Sequence, residues 1–389
     1  MSRQWSDDPG GPGGGRPDQG QAGGAAGGLA PSQQAQSGDG QANGVAAACS
    51  EPWPPRRPAP TYAALDLGTN NCRLLIARPS HDGFRIVDAF SRIVRLGEGL
   101  SHTGRLSEAA IRRTLGALAV CRDKMAARGV TRSRLIATEA CRAAANGSEF
   151  LARVEDELGV ELEIVDRETE AHLAAAGCAA LADHDAKAIV LFDIGGGSTE
   201  VVWLAGGAAA SDPLRERVRI WTSLPTGVVT LAEKFGGHEV DDATFEAMVA
   251  HVAEGLGSFI ERTREQLRCD RFHLLGTSGT VTTLAGVHLG LLRYDRRRVD
   301  GLWMSDDEID DALARLRLMT YAERAANGCI GHERADLVLA GCAILEAIRR
   351  AFPAPRVRIA DRGLREGILV QMMSADGVWR TARPREIAP

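Results

Sequence analysis

Several things are scarce in this sequence, and each scarcity removes a class of protein. Aromatic residues make up only 5% of its 389 positions. No run of about 18 apolar residues occurs, the length a helix needs to cross a bilayer, so no membrane partner is expected. Basic residues are not in excess. The 46 Lys and Arg against 51 Asp and Glu leave a formal charge of −5, the wrong sign for a general nucleic-acid binder, although a locally basic cleft for a polyanion stays compatible with it. The eight cysteines (Cys49, Cys72, Cys121, Cys141, Cys178, Cys269, Cys329, Cys342) make no C-x-x-C pair and no zinc-type Cys/His spacing. Several lie in apolar helical stretches, where a free thiol packs as a small hydrophobe, which points to a reduced cytoplasm. Neither G-x-x-x-x-G-K-[ST] nor a G-x-G-x-x-G opening a helix is present. Large aliphatic residues are nearly missing from residues 1–60, which are mostly Gly, Ala, Gln, Ser and Pro. Such a segment cannot bury enough surface to offset its ordering entropy, and it lacks the apolar stretch of a secretion signal. A disordered tail is expected there.

From Thr61 the texture changes to alternating strands and helices, an α/β pattern. Strands are expected at 62–67, 72–78, 85–90, 135–137, 162–165, 189–193, 200–205, 215–223, 272–275 and 357–360. Helices are expected from Ser107 to about 128, from about 148, and over 167–181, 227–235, 242–268, 306–318 and 333–352, with a last helix after 363. One boundary is placed near 182–187, giving domains over 61–183 and 184–375 and a short tail at 376–389. The last helix is allowed to return to the first domain.

Two segments share one plan. Ala63-Ala-Leu-Asp-Leu-Gly-Thr-Asn-Asn-Cys-Arg-Leu-Leu-Ile76 and Ile189-Val-Leu-Phe-Asp-Ile-Gly-Gly-Gly-Ser-Thr-Glu-Val-Val202 each run from an apolar strand ending in Asp, through a glycine turn with hydroxyl or amide side chains, into a second apolar strand. Glycine lets backbone N–H groups approach a phosphate, and neighbouring donors complete the cradle. In the first turn these are Gly68, Thr69 and Asn70, with Arg73 following on the strand; in the second, Gly195, Gly196, Gly197, Ser198 and Thr199. Asp66 and Asp193 can hold a hydrated cation that neutralises phosphate charge. Gly276, Ser278 and Gly279 form a third glycine and hydroxyl turn where a helix begins, a place that favours an anion. Arg142, after a short strand, can fork onto phosphate oxygens. The run Arg293–Arg298 fits either a basic track or a solvated loop.

Asp-Leu-Gly-Thr-Asn-Asn, Asp-Ile-Gly-Gly-Gly-Ser-Thr-Glu, Gly-Thr-Ser-Gly-Thr and Asp-Arg-Gly-Leu-Arg-Glu-Gly, in this order, resemble the exopolyphosphatase/guanosine pentaphosphate phosphatase (Ppx/GppA) family over about residues 61–375. Arg95–Leu100 and Ala137–Arg142 match its lesser motifs. The resemblance implies the actin-like ATPase/sugar kinase/Hsp70 fold, a duplicated ribonuclease H-like α/β architecture with two domains around a cleft. It implies a general base at the end of a Gly-x-Glu-Glu-Ala stretch, here Arg167-Glu168-Thr169-Glu170-Ala171. Glu170 takes that role, with Glu168 as a competitor, because Arg stands for Gly and Thr for the first Glu. Asp193, with Asp66 opposite, corresponds to the metal site for Mg2+ or another divalent cation, and Glu200 to a group holding or orienting water. The implied substrate is inorganic polyphosphate or, as the alternative, guanosine penta- or tetraphosphate. Other readings are a kinase of the same superfold, a chaperone-like ATPase, for which no peptide-binding segment is evident, and a non-catalytic binder of these polyanions. Longer members carry a further C-terminal helical domain that this sequence lacks, so processivity on very long chains is not expected. A homodimer is compatible with the sequence.

Overall fold

The computed structural model describes residues 60–81, 83–206, 217–265 and 272–379. Most of the tail expected at 1–60, the chain from 380 onward, and the ends expected at 215–216 and 266–268 lie outside these residues.

Eleven strands among the described residues form two sheets: β1 (Tyr62–Leu67), β2 (Asn71–Ser80), β3 (Gly83–Ile93), β4 (Arg132–Ala137), β5 (Glu163–Ile164), β6 (Ala188–Ile194), β7 (Thr199–Ala205), β8 (Val218–Leu224), β9 (Phe272–Thr277), β10 (Trp303–Ser305) and β11 (Arg356–Ala360). The first sheet runs β3-β2-β1-β4-β5 and the second β10-β11-β9-β6-β7-β8. In both, the first strand pairs antiparallel with the second and parallel with the strand after the first long crossover. Setting β6, β7, β8, β9 and β11 on β1 to β5 in turn gives one connectivity used twice. This is the actin-like, ribonuclease H-like duplication. The short edge strand β10 is an addition to the second copy.

The central strands are buried on both faces, and the two-residue period shows which core each side chain enters. Along β1, Ala63, Leu65 and Leu67 face one cluster, while Tyr62 and Ala64 face another. Along β6, Val190, Phe192 and Ile194 enter the second sheet's outer core, while Ile189 and Leu191 join Tyr62 and Ala64. The shared cluster also takes in Leu173 and Ala174 of the helix Arg167–Cys178, and Ile368 and Leu369 of the helix Leu364–Ala375. The last helix packs against β1 and β2 of the first sheet.

These two helices approach closely because glycine stands at each crossing. A Cβ on Gly177 would lie 1.9 Å from the Gly363 carbonyl oxygen, and one on Gly367 would lie 2.0 Å from that of Leu173. Both helices pack in the cluster shared by the two sheets.

The sequence pattern placed most elements within a few residues but missed short ones, among them β10 and the helices Leu100–Thr103 and Glu139–Ala143. The helix Glu139–Ala143 starts just after β4, ahead of the helix Gly147–Leu158 that answers to the start expected near Ser148. The helices Arg296–Val299 and Tyr321–Ala326 are too short to show a period. Among the described residues no helix is long and apolar enough to cross a membrane. The six described cysteines are free and buried.

Candidate active site

Each hairpin turn closes with the same backbone bond: Gly68 N–H donates to the Asn71 carbonyl, and Gly195 N–H to that of Ser198, both at 2.9 Å. The turns face one another. A Cβ on Gly196 would lie 3.0 Å from Thr69 Cβ, and one on Gly197 would lie 2.5 Å from Thr69 Oγ1. The glycines of the second hairpin thus let the first reach across the cleft. Among the described residues, Thr69 Oγ1 and Asn70 Oδ1 are buried there without a hydrogen-bond partner. An unmet buried polar atom is costly, so these two mark where a ligand's polar groups belong.

The enclosed space between the hairpins is about 110 Å³. Asp66, Gly68, Thr69, Asn70, Arg73, Glu170, Asp193, Gly195, Gly196, Gly197, Ser198, Glu200, Ser278 and Gly279 all line it. Glu170 is 6% exposed, on the first turn of its helix, and its carboxylate turns inward. Glu168 is exposed on the opposite side and does not line the cleft. Two residues along a helix differ in direction by about half a turn, which separates these competitors.

Four carboxylates therefore meet in little space, and burial raises all of them. Asp66 lies above the usual carboxylate range through burial, offset by Arg73 and Arg365. Burial pushes Asp193 up to about 6, opposed by a Ser278 hydrogen bond and aided by Asp66. Glu200 is pushed up to about 7 by burial and by Asp193, while Ser223 and Ser198 hold it down; Ser223 Oγ donates to Glu200 Oε1 at 2.8 Å. Glu170 is held well above its ordinary value by burial and by Glu200, with Arg142 opposing. Arg142 pairs with Glu170 at 3.0 Å, while burial outweighs the nearby arginines at all four acids. Hard oxygen donors in small number suit a cation that shares its shell with water and phosphate, and Asp66 and Asp193 fit that requirement. Among the described residues no cluster of three or more His, Cys, Asp or Glu closes around one point.

Next to this space lies a chamber of about 960 Å³, bordered by Arg73, Arg92, Arg296, Arg334 and Arg365, with Tyr294 in its wall. Arg334 donates to the carbonyls of Ile330 and Cys329 and to Thr283 Oγ1, not to a carboxylate. Burial and the neighbouring Arg73 lower its proton affinity. Burial does the same to Arg365. Five guanidinium groups against the two acids Glu333 and Asp361 in the same wall leave an excess of positive charge, the reverse of the carboxylate cluster, and they fit a polyanion. Arg296 of the run 293–298 belongs to this wall, tied to Glu366 at 3.1 Å.

Three expected phosphate contacts are not in the cleft wall. Thr199 is fully buried and donates from Oγ1 to the Thr226 carbonyl at 2.7 Å. Gly276 lies within β9, where a Cβ would meet the Phe192 ring at 2.6 Å, so its small size serves sheet packing. Arg142 spends its guanidinium inside the protein, on Glu139, Glu170 and the Val165 carbonyl, and borders a separate surface groove.

Residues 75–376 match the sequence profile of the Ppx/GppA phosphatase family. The chain belongs to that family. Among Ppx/GppA relatives it is similar to exopolyphosphatase 2 of Mycobacterium tuberculosis (strain ATCC 25618 / H37Rv), 30% identical over 331 residues that cover 80% of this chain and 98% of the relative. It is also similar to the guanosine-5'-triphosphate,3'-diphosphate pyrophosphatase of Photobacterium profundum, 28% identical over 324 residues; the match takes 81% of this chain but spans only 60% of that relative's length. The crystal structure of the Aquifex aeolicus Ppx/GppA family member shares the fold with a TM-score of 0.64 and 30% identity, covering 82% of this chain and 99% of the other.

Sequence reasoning passed over Glu139, Ser223, Arg334 and Arg365. Glu139 lies within the Ala137–Arg142 motif, two residues after the end of β4, a position that faces a cleft in such folds. Arg365 likewise sat in the quoted Asp361–Gly367 stretch. Ser223 and Arg334 carry no local signal.

Proposed function

We propose that this protein removes the terminal phosphate from inorganic polyphosphate, with Glu170 as general base. The observation that carries the proposal is the buried carboxylate of Glu170 in the wall of the space between two facing glycine hairpins, next to an arginine chamber. The terminal phosphate occupies the space between the hairpins. Backbone N–H groups around Gly68 and Gly195–Gly197, together with Thr69, Asn70 and Ser198, donate to its oxygens. The remaining chain lies along Arg73, Arg334 and Arg365. Water attacks the terminal phosphorus, Glu170 takes its proton, the bridging P–O bond breaks, and the shortened chain leaves as the anion. Glu200, fixed by Ser223, orients the water. Asp66 and Asp193 are the residues that would hold Mg2+, which when bound neutralises phosphate charge. The repeats 61–183 and 184–375 supply one wall each. The free thiols suit a reducing cytoplasm.

Guanosine pentaphosphate is the second reading, favoured by the size of the arginine chamber, which admits a nucleoside beside Tyr294. Phosphate release from polyphosphate and from guanosine pentaphosphate, each with Mg2+ and with EDTA, separates the substrates. Glu170→Gln is expected to abolish release from both while leaving binding intact. Turnover like the parent's in that variant rules out the base assignment, and binding without any release by the parent protein rules out hydrolysis.

A further inference from the structure

We infer that Arg167 is a positioning residue for Glu170, acting through Glu139 and Arg142. This rests on Glu170 being the base. Arg167 stands where the family stretch has glycine, so the contact belongs to this chain's own sequence. Its Nη2 donates to Glu139 Oε1 at 2.8 Å, and its Nε lies 3.3 Å from Glu139 Oε2. The same Glu139 Oε2 accepts from Arg142 Nε at 3.0 Å and from Nη2 at 2.5 Å. Arg142 Nη2 also donates to Glu170 Oε2 at 3.0 Å, while Nη1 is fixed on the Val165 carbonyl at 2.5 Å. The relay crosses from the surface groove, where Arg167 is half exposed, to the cleft, where Glu139 and Glu170 are buried.

Charge and geometry both give Arg167 a task. Glu139 alone would neutralise Arg142 and compete with Glu170 for it. A second guanidinium on Glu139 leaves two cations facing two carboxylates, so Arg142 serves Glu139 and Glu170 at once. Arg167 is also the first residue of its helix, where the backbone dipole disfavours a positive charge. Its reach to Glu139 offsets that. Because Arg167 and Glu170 lie on the same turn, the relay closes a ring that fixes the helix start against the helix Glu139–Ala143 and sets the direction of the Glu170 carboxylate.

The test is steady-state phosphate release by Arg167→Gly, Arg167→Lys, Glu139→Gln and the Arg167→Gly/Glu139→Gln double variant. Arg167→Gly is expected to lower kcat about tenfold with KM within about twofold, as loss of orientation does, and Arg167→Lys to recover most of the loss. In the Glu139→Gln background the same glycine change is expected to cost less than about twofold, since its route to Glu170 is gone. Unchanged kcat in Arg167→Gly, a rise in KM alone, or an equal loss in both backgrounds overturns the inference. Thermal melts of all four accompany the assay, and Arg167→Lys keeps it decisive if glycine unfolds the helix start. The Glu170→Gln variant reports on the base assignment separately, whatever Arg167 does.

Discussion

Glu200 stands in the second repeat where Arg73 stands in the first: each is the cross-strand partner of its hairpin aspartate, Asp193 and Asp66 respectively. The backbone is repeated and the charge is inverted. Arg73 in one copy borders the arginine chamber, and Glu200 in the other lines the space between the hairpins. An exact repeat of either residue would give a site with two anion clamps or two acids, and neither serves hydrolysis of an anhydride. Arg73→Ala is therefore expected to raise KM by about 10- to 100-fold with a smaller change in kcat, the cost of one charge-assisted contact to phosphate. Glu200→Gln is expected to do the reverse, lowering kcat with KM little changed. Initial-rate kinetics on a short polyphosphate distinguish the two.

As the proposed base, Glu170 is expected to set the acid limb of the pH profile. A base works only when ionised, and burial together with Glu200 keeps the Glu170 proton bound well above the ordinary glutamate range, against the pull of Arg142. Activity is thus expected to rise with pH through a midpoint well above about 4.3, the value of a solvated glutamate. Glu200→Gln removes the nearby negative charge and moves that midpoint down; Arg142→Ala removes the positive one and moves it up. Profiles of kcat for the three proteins check the order, and a common midpoint for all of them contradicts it.

The carboxylate cluster also makes the protein more stable in mild acid when no cation is bound. Asp193 at about 6 and Glu200 at about 7 bind protons more tightly folded than unfolded. Their contribution is complete below about pH 4, the unfolded range, and is lost as pH rises through 6 to 7. Asp88 has the opposite sign, pushed down to about 2 by Lys124 and Arg128, but its contribution is lost only below about pH 4. Melting in EDTA is expected to show Glu200→Gln gaining on the parent protein from pH 5 to pH 8. Added Mg2+ should raise the parent's Tm more at pH 8 than at pH 5. A constant difference between the two proteins across that range counts against the cluster as the cause.

The hairpins and the duplication were legible because glycine turns and strand-end aspartates are local features, readable over about a dozen residues. The role proposed for Glu170 comes only through the resemblance, and that it lines the cleft while Glu168 does not depends on the helix direction. Arg142 was misplaced because a lone arginine after a strand says nothing about Glu139 and Val165, which reach it by tertiary packing. Thr199 was misplaced because one residue along a strand reverses the face, putting Ser198 in the cleft and Thr199 against Thr226. The arginine chamber gathers residues from distant parts of the chain, and no window of sequence contains it.

Gly177 and Gly367 give the last prediction, because they hold the two repeats at the distance the cleft requires. Alanine at either forces its new methyl onto a backbone carbonyl, 1.9 Å away for Gly177 and 2.0 Å for Gly367. Carbonyls of packed helices cannot swing aside as a side-chain end can, so the helices must separate. Overpacking of this kind costs about 1–3 kcal/mol or more, against a gain of at most about 1 kcal/mol from alanine's better helix propensity. Net destabilisation is expected for each variant by urea unfolding. Activity is expected to fall further than stability does, because Glu170 rides on the first of these helices and Leu364, in the cleft wall, on the second. Gly116, on an exposed helix face with nothing within 4 Å of its Cβ position, is the control. Its alanine variant should be as stable as the parent or slightly more so, with unchanged phosphate release; equal losses at all three glycines would assign the effect to helix propensity and not to the crossing.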